Sequence, residues 1–223
     1  MSSRACPAAV LFDMDGTLVD TEDLWWDACV EVARGLGSPL GAADRETLFG
    51  LSIEDAAAHV VSRVDGGPGQ RAVETMLTDA FTARIRSGVT TLPGAVALLE
   101  ALRAADIPAG LVSASPRPVV DLVLEAVGGH RFRLSVAAGD SARNKPAPDP
   151  YLAAAARLGV DPAACVAIED SPTGVASARS AGCAVIAVGP SGWVNRMSGV
   201  TAVPTLESVD LPLLRRLVSR APL

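Results

Sequence analysis

Ala8-Ala9-Val10-Leu11-Phe12-Asp13-Met14-Asp15-Gly16-Thr17 is an apolar run that stops on two carboxylates. Its length, and the turn residues that bound it, are those of a strand buried on both faces. Four further runs of the same kind follow: Ala109 to Val112, Leu134 to Ala138, Cys165 to Ile168 and Ala184 to Val188. Segments of helical length separate them. Val96, Leu99, Leu102 and Ile107 fall on one helical face, and Val119, Leu122, Val123 and Val127 on another. Pro172 to Ala181 reads as a further helix, with Ser171 as its N-cap and Gly182 ending it. This alternation predicts an α/β fold, a doubly wound and mostly parallel sheet with helices on both faces.

One interval breaks the rhythm. From Thr21 to about Ser87 the sequence reads as helices with no convincing strand. Trp25, Cys29, Val32 and Leu36 form one stripe, Val73, Met76, Leu77 and Ala80 another, and Gly66-Gly67-Pro68-Gly69 marks a turn. The expected organisation is an α/β core of residues 1–19 and 88–223 with a helical domain, 20–87, inserted after the first strand. Its hinges fall near Leu18 to Asp20 and Ser87 to Leu92.

Composition narrows the function classes. The chain has 223 residues, 49% of them apolar, with 19 Lys and Arg against 25 Asp and Glu for a net charge of −6. It can bury a substantial core, and it has neither the basic surface that nucleic acid requires nor the basic clusters that an anionic membrane attracts. Ala5 to Phe12 is too short for a signal-peptide core, and the longest uncharged run, Ser180 to Asn195, is interrupted by Gly182, Gly189, Pro190 and Gly192. A soluble, cytoplasmic protein is expected. Cys6, Cys29, Cys165 and Cys183 show no metal-binding spacing, and with only His59 and His130 available they read as buried thiols.

In an open parallel sheet the ligand site lies outside the carboxyl ends of the strands. Asp13 and Asp15, Ser113 and Ser115, Lys145, and Glu169 with Asp170 all fall at such ends, so one crevice should collect them. Asp13 and Asp15, two residues apart, point to the same side, where mutual repulsion is costly unless a cation sits nearby or one of them is protonated. Glu169 and Asp170 add to the deficit. An all-oxygen donor set suits Mg²⁺. Eighteen of the nineteen basic residues are Arg, and Lys145 is the only lysine. A compact ammonium at a strand end is what a phosphate can use.

In Phe12-Asp13-Met14-Asp15-Gly16-Thr17-Leu18, Leu111-Val112-Ser113-Ala114-Ser115, Lys145-Pro146-Ala147-Pro148-Asp149 and Ile168-Glu169-Asp170-Ser171, taken in this order, the chain resembles the haloacid dehalogenase superfamily. Within it, the similarity is to the helical-cap, β-phosphoglucomutase-like branch that includes the hexitol and deoxysugar phosphatases. The resemblance implies that Asp13 is the nucleophile that becomes an aspartyl phosphate and that Asp15 is the general acid and base. It also implies that Mg²⁺ is held by Asp13, the Asp15 carbonyl and Asp170, with Glu169 a ligand or one water removed. Ser113, the Ala114 amide, Lys145 and backbone amides around Gly16 would hold the phosphoryl oxygens. Thr21, Glu22 and Trp25, on the first cap helix, become candidate substrate contacts.

Departures sort the branch. The similar mutases carry a histidine where Trp25 stands and a lysine in the cap, and the phosphonate hydrolases need a cap lysine; this chain has none before Lys145. The reading that remains is a Mg²⁺-dependent phosphatase acting on a small phosphorylated metabolite, of the sugar or polyol class, with no obligate protein partner. A phosphomutase and a catalytically inactive phosphate-binding module are the alternatives. Arg45, Arg63, Arg71 and Arg84, in the cap, could meet an anionic substrate, although solvated surface positions are the expected default for arginines.

Overall fold

The structure, a computed structural model, describes residues 6–48, 51–64, 66–189 and 197–219. Strand β1 (Ala9–Phe12) leads through a two-residue strand β2 (Val19–Asp20) into helices α1 (Glu22–Gly35), α2 (Ala42–Leu48), α3 (Ile53–Val61) and α4 (Gln70–Ser87), and then into a second short strand, β3 (Thr90–Thr91). The chain continues as α5 (Ala95–Ala104), β4 (Ala109–Pro116), α6 (Arg117–Val127), β5 (Leu134–Ala138), α7 (Asp149–Leu158), β6 (Cys165–Glu169), α8 (Pro172–Ser180), β7 (Ala184–Val188), β8 (Val200–Val203) and α9 (Leu211–Val218).

Six of these strands form one sheet, ordered β5-β4-β1-β6-β7-β8 and parallel at every pairing. The α/β fold expected from the sequence is therefore present. Strand β1 is central and fully buried, and its alternate residues feed two different cores. Val10 and Phe12 pack with Leu99, Leu102, Val119 and Val123 from α5 and α6. Ala9 and Leu11 pack on the opposite face with Tyr151, Ala154, Val175 and Ala178 from α7 and α8. Burial on both faces is why the run carries no polar residue until it ends at Asp13.

The strand expectations need two corrections. The sheet has a sixth strand, β8, which the sequence reading missed. It is a short edge strand with Val203 buried and Ala202 exposed, so its four residues lack the continuous apolar run that marks the interior strands. Strand β4 also runs past Val112 to Pro116, with an irregular register between those residues, so Ser113 to Ser115 lie within its last part rather than after it. The helix at Pro172 falls where expected, and the Ser171 hydroxyl accepts the Gly174 N–H at its N-terminus.

Helices α1 to α4 have a core of their own, which includes Cys29, Val32, Leu48, Val60, Val73 and Leu77. Met76, expected on the buried stripe, is 38% exposed; it lies on the outer side of α4. The chain enters and leaves this insertion through the antiparallel β2–β3 ribbon, where Val19 faces Thr91 and the Leu92 N–H donates to the Leu18 carbonyl at 2.9 Å. The cysteines form no disulfide, but Cys6 is exposed and only the other three are the buried thiols expected. Among the described residues, no helix is long and apolar enough to cross a membrane.

On α5, Leu99 is fully buried whereas Val96, on the same expected stripe, is 36% exposed. Urea denaturation should show Leu99→Ala losing roughly 2–5 kcal/mol of stability. Val96→Ala should change it by less than about 0.5 kcal/mol. Equal losses would contradict this placement of the helix.

Candidate active site

The strand order reverses around β1: the chain adds β4 and β5 on one side and β6, β7 and β8 on the other. The carboxyl ends of β1, β4 and β6 therefore meet at one crevice, the place where open α/β sheets bind ligands. Asp13 leaves β1 with its N–H still donating to the Ile168 carbonyl at 2.9 Å, which fixes its backbone against β6. A cavity of about 460 Å³ opens there, lined by Asp13, Asp15, Lys145 and Asp170 from the core and by Trp25, Ile53 and Phe81 from the insertion.

Lys145 is the centre of the arrangement. It comes from the loop between β5 and α7, across a cis peptide bond to Pro146, and is 8% exposed. Its Nζ donates to Asp13 Oδ1 at 2.6 Å, to Glu169 Oε1 at 2.6 Å and to the Val112 carbonyl at 2.9 Å. Burial works against its charge, but Asp13 and Glu169 outweigh that effect and hold its pKa above the ordinary lysine value.

Asp13, Glu169 and Asp170 bring one carboxylate oxygen each to within 4.8 Å of one another. One ammonium facing three carboxylates leaves a negative excess. Burial, with Asp13 as the next contributor, pushes Asp170 well above the usual carboxylate range. Burial likewise raises Glu169, although Lys145 pulls it down. Glu169 Oε2 is buried with no hydrogen-bond partner. An orphaned carboxylate oxygen, an uncompensated charge and an all-oxygen donor set fit a hard divalent cation such as Mg²⁺. Two glycines make room for these groups. A Cβ on Gly16, whose φ is +74°, would lie 2.1 Å from Asp170 Oδ2, and one on Gly174 would lie 1.9 Å from Glu169 Oε2.

Asp15 occupies a different environment from Asp13. Its Oδ1 accepts the Thr21 hydroxyl at 2.7 Å, and its Oδ2 accepts those of Ser115 at 2.8 Å and Ser113 at 3.5 Å. Desolvation, and then the charge of Asp13, push it up to about 6. A carboxyl group whose pKa is raised to about 6 can both donate and recover a proton.

The predicted residues are brought together, but several do different work from what the sequence suggested. Thr21 is 2% exposed and spends its hydroxyl on Asp15. The Gly16 amide donates to the Val19 carbonyl at 2.9 Å, so that glycine supplies turn geometry and space rather than a free donor. Glu22 lines the cavity and meets Arg45 at 3.4 Å. Trp25 lines it too, edge-to-face on Phe81 at 5.3 Å, so it packs and borders the site at once. Ala114 is on the wall beside Ser115. Arg45 bonds to Asp23, Arg63 to Asp44 and Arg84 to Glu31, while Arg71 borders a separate surface cleft, so none of the four lines the cavity. His59 pairs with Asp44, away from the site.

Sequence reasoning missed three participants. Ser115 stood at a noted strand end but received no role. Tyr151, the only tyrosine, lies six residues after Lys145 and donates its hydroxyl to Glu169 Oε1. Gly174 looked like an ordinary helix position.

Comparison with known proteins agrees with this geometry. The sequence matches the haloacid dehalogenase-like hydrolase family over residues 7–182. It is 36% identical to hexitol phosphatase A of Escherichia coli over 194 residues, covering 86% of this chain and 88% of that one. A haloacid dehalogenase hydrolase of family IA, variant 3, from Entamoeba histolytica superposes with a TM-score of 0.85 at 25% identity, covering 95% and 99% of the two chains. A β-phosphoglucomutase from Clostridium difficile shares the fold, with a TM-score of 0.83 at 23% identity over 95% and 97%. With its motifs, sheet order and relatives in agreement, the chain belongs to the haloacid dehalogenase-like hydrolases, in their β-phosphoglucomutase-like sugar phosphatase branch.

Proposed function

We propose that this hydrolase is a Mg²⁺-dependent phosphatase that cleaves a small sugar or polyol phosphate through a covalent phosphoryl group on Asp13. As a member of its branch, the protein is an enzyme acting on phosphoric monoesters. The observation that carries the mechanism is the contrast between its two first-strand carboxylates. Asp13 is held beside Lys145 at 2.6 Å, whereas Asp15 is held only by hydroxyls and is pushed up to about 6.

In the first half of the cycle an Asp13 carboxylate oxygen forms a bond to phosphorus as the ester P–O bond breaks. The Asp15 carboxyl proton passes to the departing alcohol oxygen. In the second half Asp15, now a carboxylate, takes a proton from water, whose oxygen bonds to phosphorus as the Asp13 oxygen leaves. Orthophosphate is released and both aspartates are restored. Ser113, the Ala114 amide and Lys145 orient the phosphoryl oxygens. Asp13, the Asp15 carbonyl, Asp170 and Glu169 would hold Mg²⁺, which when bound supplies charge neutralisation at the transferring phosphoryl group.

Residues 20–87 are the cap in this reading, and 1–19 with 88–223 the catalytic core. The β2–β3 ribbon is the hinge, and the cap side of the cavity offers Trp25, Ile53 and Phe81 to the alcohol half of the substrate. The hexitol phosphatase similarity supports a polyol or sugar phosphate, and the location is proposed as cytoplasmic.

Activity on p-nitrophenyl phosphate and a panel of sugar, polyol and nucleotide phosphates tests the proposal. Asp13→Asn should abolish turnover. Asp15→Asn should lower kcat about 10²- to 10⁴-fold. A chelator should stop the reaction and added Mg²⁺ restore it. Wild-type turnover by Asp13→Asn, or full activity in chelator, would contradict the mechanism. Thr21→Val and Ser115→Ala each remove one tether from Asp15 and should lower kcat about tenfold with KM little changed, a factor worth ~1.4 kcal/mol in the barrier. A change confined to KM would count against that positioning role.

A further inference from the structure

An ammonium has three donor hydrogens, and the three acceptors around Lys145 Nζ, namely Asp13 Oδ1, Glu169 Oε1 and the Val112 carbonyl, account for all of them. A phosphoryl oxygen entering the site therefore finds Lys145 fully committed. To serve it, Lys145 must release one acceptor. Asp13 is the attacking group and needs its partner, and among the described residues no donor besides Lys145 is seen on the Val112 carbonyl outside the sheet ladder. Glu169 Oε1 differs, because it accepts a second hydrogen bond from the buried Tyr151 hydroxyl. A phenol keeps its proton at neutral pH and so donates.

We infer that Tyr151 is a positioning residue that keeps Glu169 Oε1 hydrogen-bonded while Lys145 turns one N–H from Glu169 to the incoming phosphoryl oxygen. Without the phenol, the same movement would leave a buried carboxylate oxygen bare, which is costly. The inference rests on the phosphatase reading above and extends it to a residue on α7.

Because the chain has one tyrosine, growth on 3-fluorotyrosine labels this position alone. With magnesium chloride present, orthophosphate is titrated in and followed by fluorine NMR and by calorimetry. The single resonance should move along the calorimetric saturation curve. Tyr151→Phe, which retains the ring, should weaken orthophosphate binding about tenfold, and the same change made in Glu169→Gln should weaken it less than twofold further. A resonance that stays still while phosphate binds would overturn the inference, as would Tyr151→Phe with wild-type affinity or losses that add in the double variant. If Tyr151→Phe does not fold, the labelled wild type decides alone. A wild type that binds no orthophosphate would overturn the phosphatase reading and this inference with it.

Discussion

Lys145 stands between Asp13 and Glu169 with 2.6 Å to each, and the order of the site depends on that shared ammonium. Two buried carboxylates would otherwise repel each other and the adjacent Asp170. Coulomb attraction in a partly desolvated pocket is strong enough to matter here, but one positive charge does not neutralise three negative ones. Burial, with the neighbouring carboxylate charge added to it, drives Glu169 and Asp170 upward although a lysine is in contact.

The fold delivers these groups through ordinary constraints. A strand covered on both faces must be apolar until it ends, so polar residues collect at its carboxyl end. Parallel neighbours then place β4 and β6 on either side of β1, and residues 98 to 157 positions apart in sequence meet within a few ångströms. The insertion enters through a ribbon only two residues long, and Thr21, the first residue beyond it, bonds to Asp15. The cavity wall and Asp15 are thus tied to the same short segment of chain.

Much of this was legible in the sequence. The apolar runs, the helical intervals between them and the four strand-end motifs identified the interior strands, the insertion and the acidic cluster, because each leaves a local signature. What escaped is set by tertiary contacts. Ser115 and Thr21 are small hydroxyl residues whose partner, Asp15, can be known only when β4 and the ribbon are in place. Gly174 matters because of what its missing side chain leaves room for, and the edge strand β8 has too little buried surface to stand out. Arg45, Arg63 and Arg84 of the insertion, whose expected default was a solvated surface position, pair with carboxylates of the insertion's own helices.

The central claim is that uncompensated carboxylate charge around Lys145 binds one dication. Manganese titration followed by electron paramagnetic resonance measures this directly, without any substrate. The account predicts one Mn²⁺ per chain, displaced by Mg²⁺ and lost in a folded Asp170→Ala variant. Absence of binding at millimolar Mn²⁺, or unchanged binding in that variant, would contradict it.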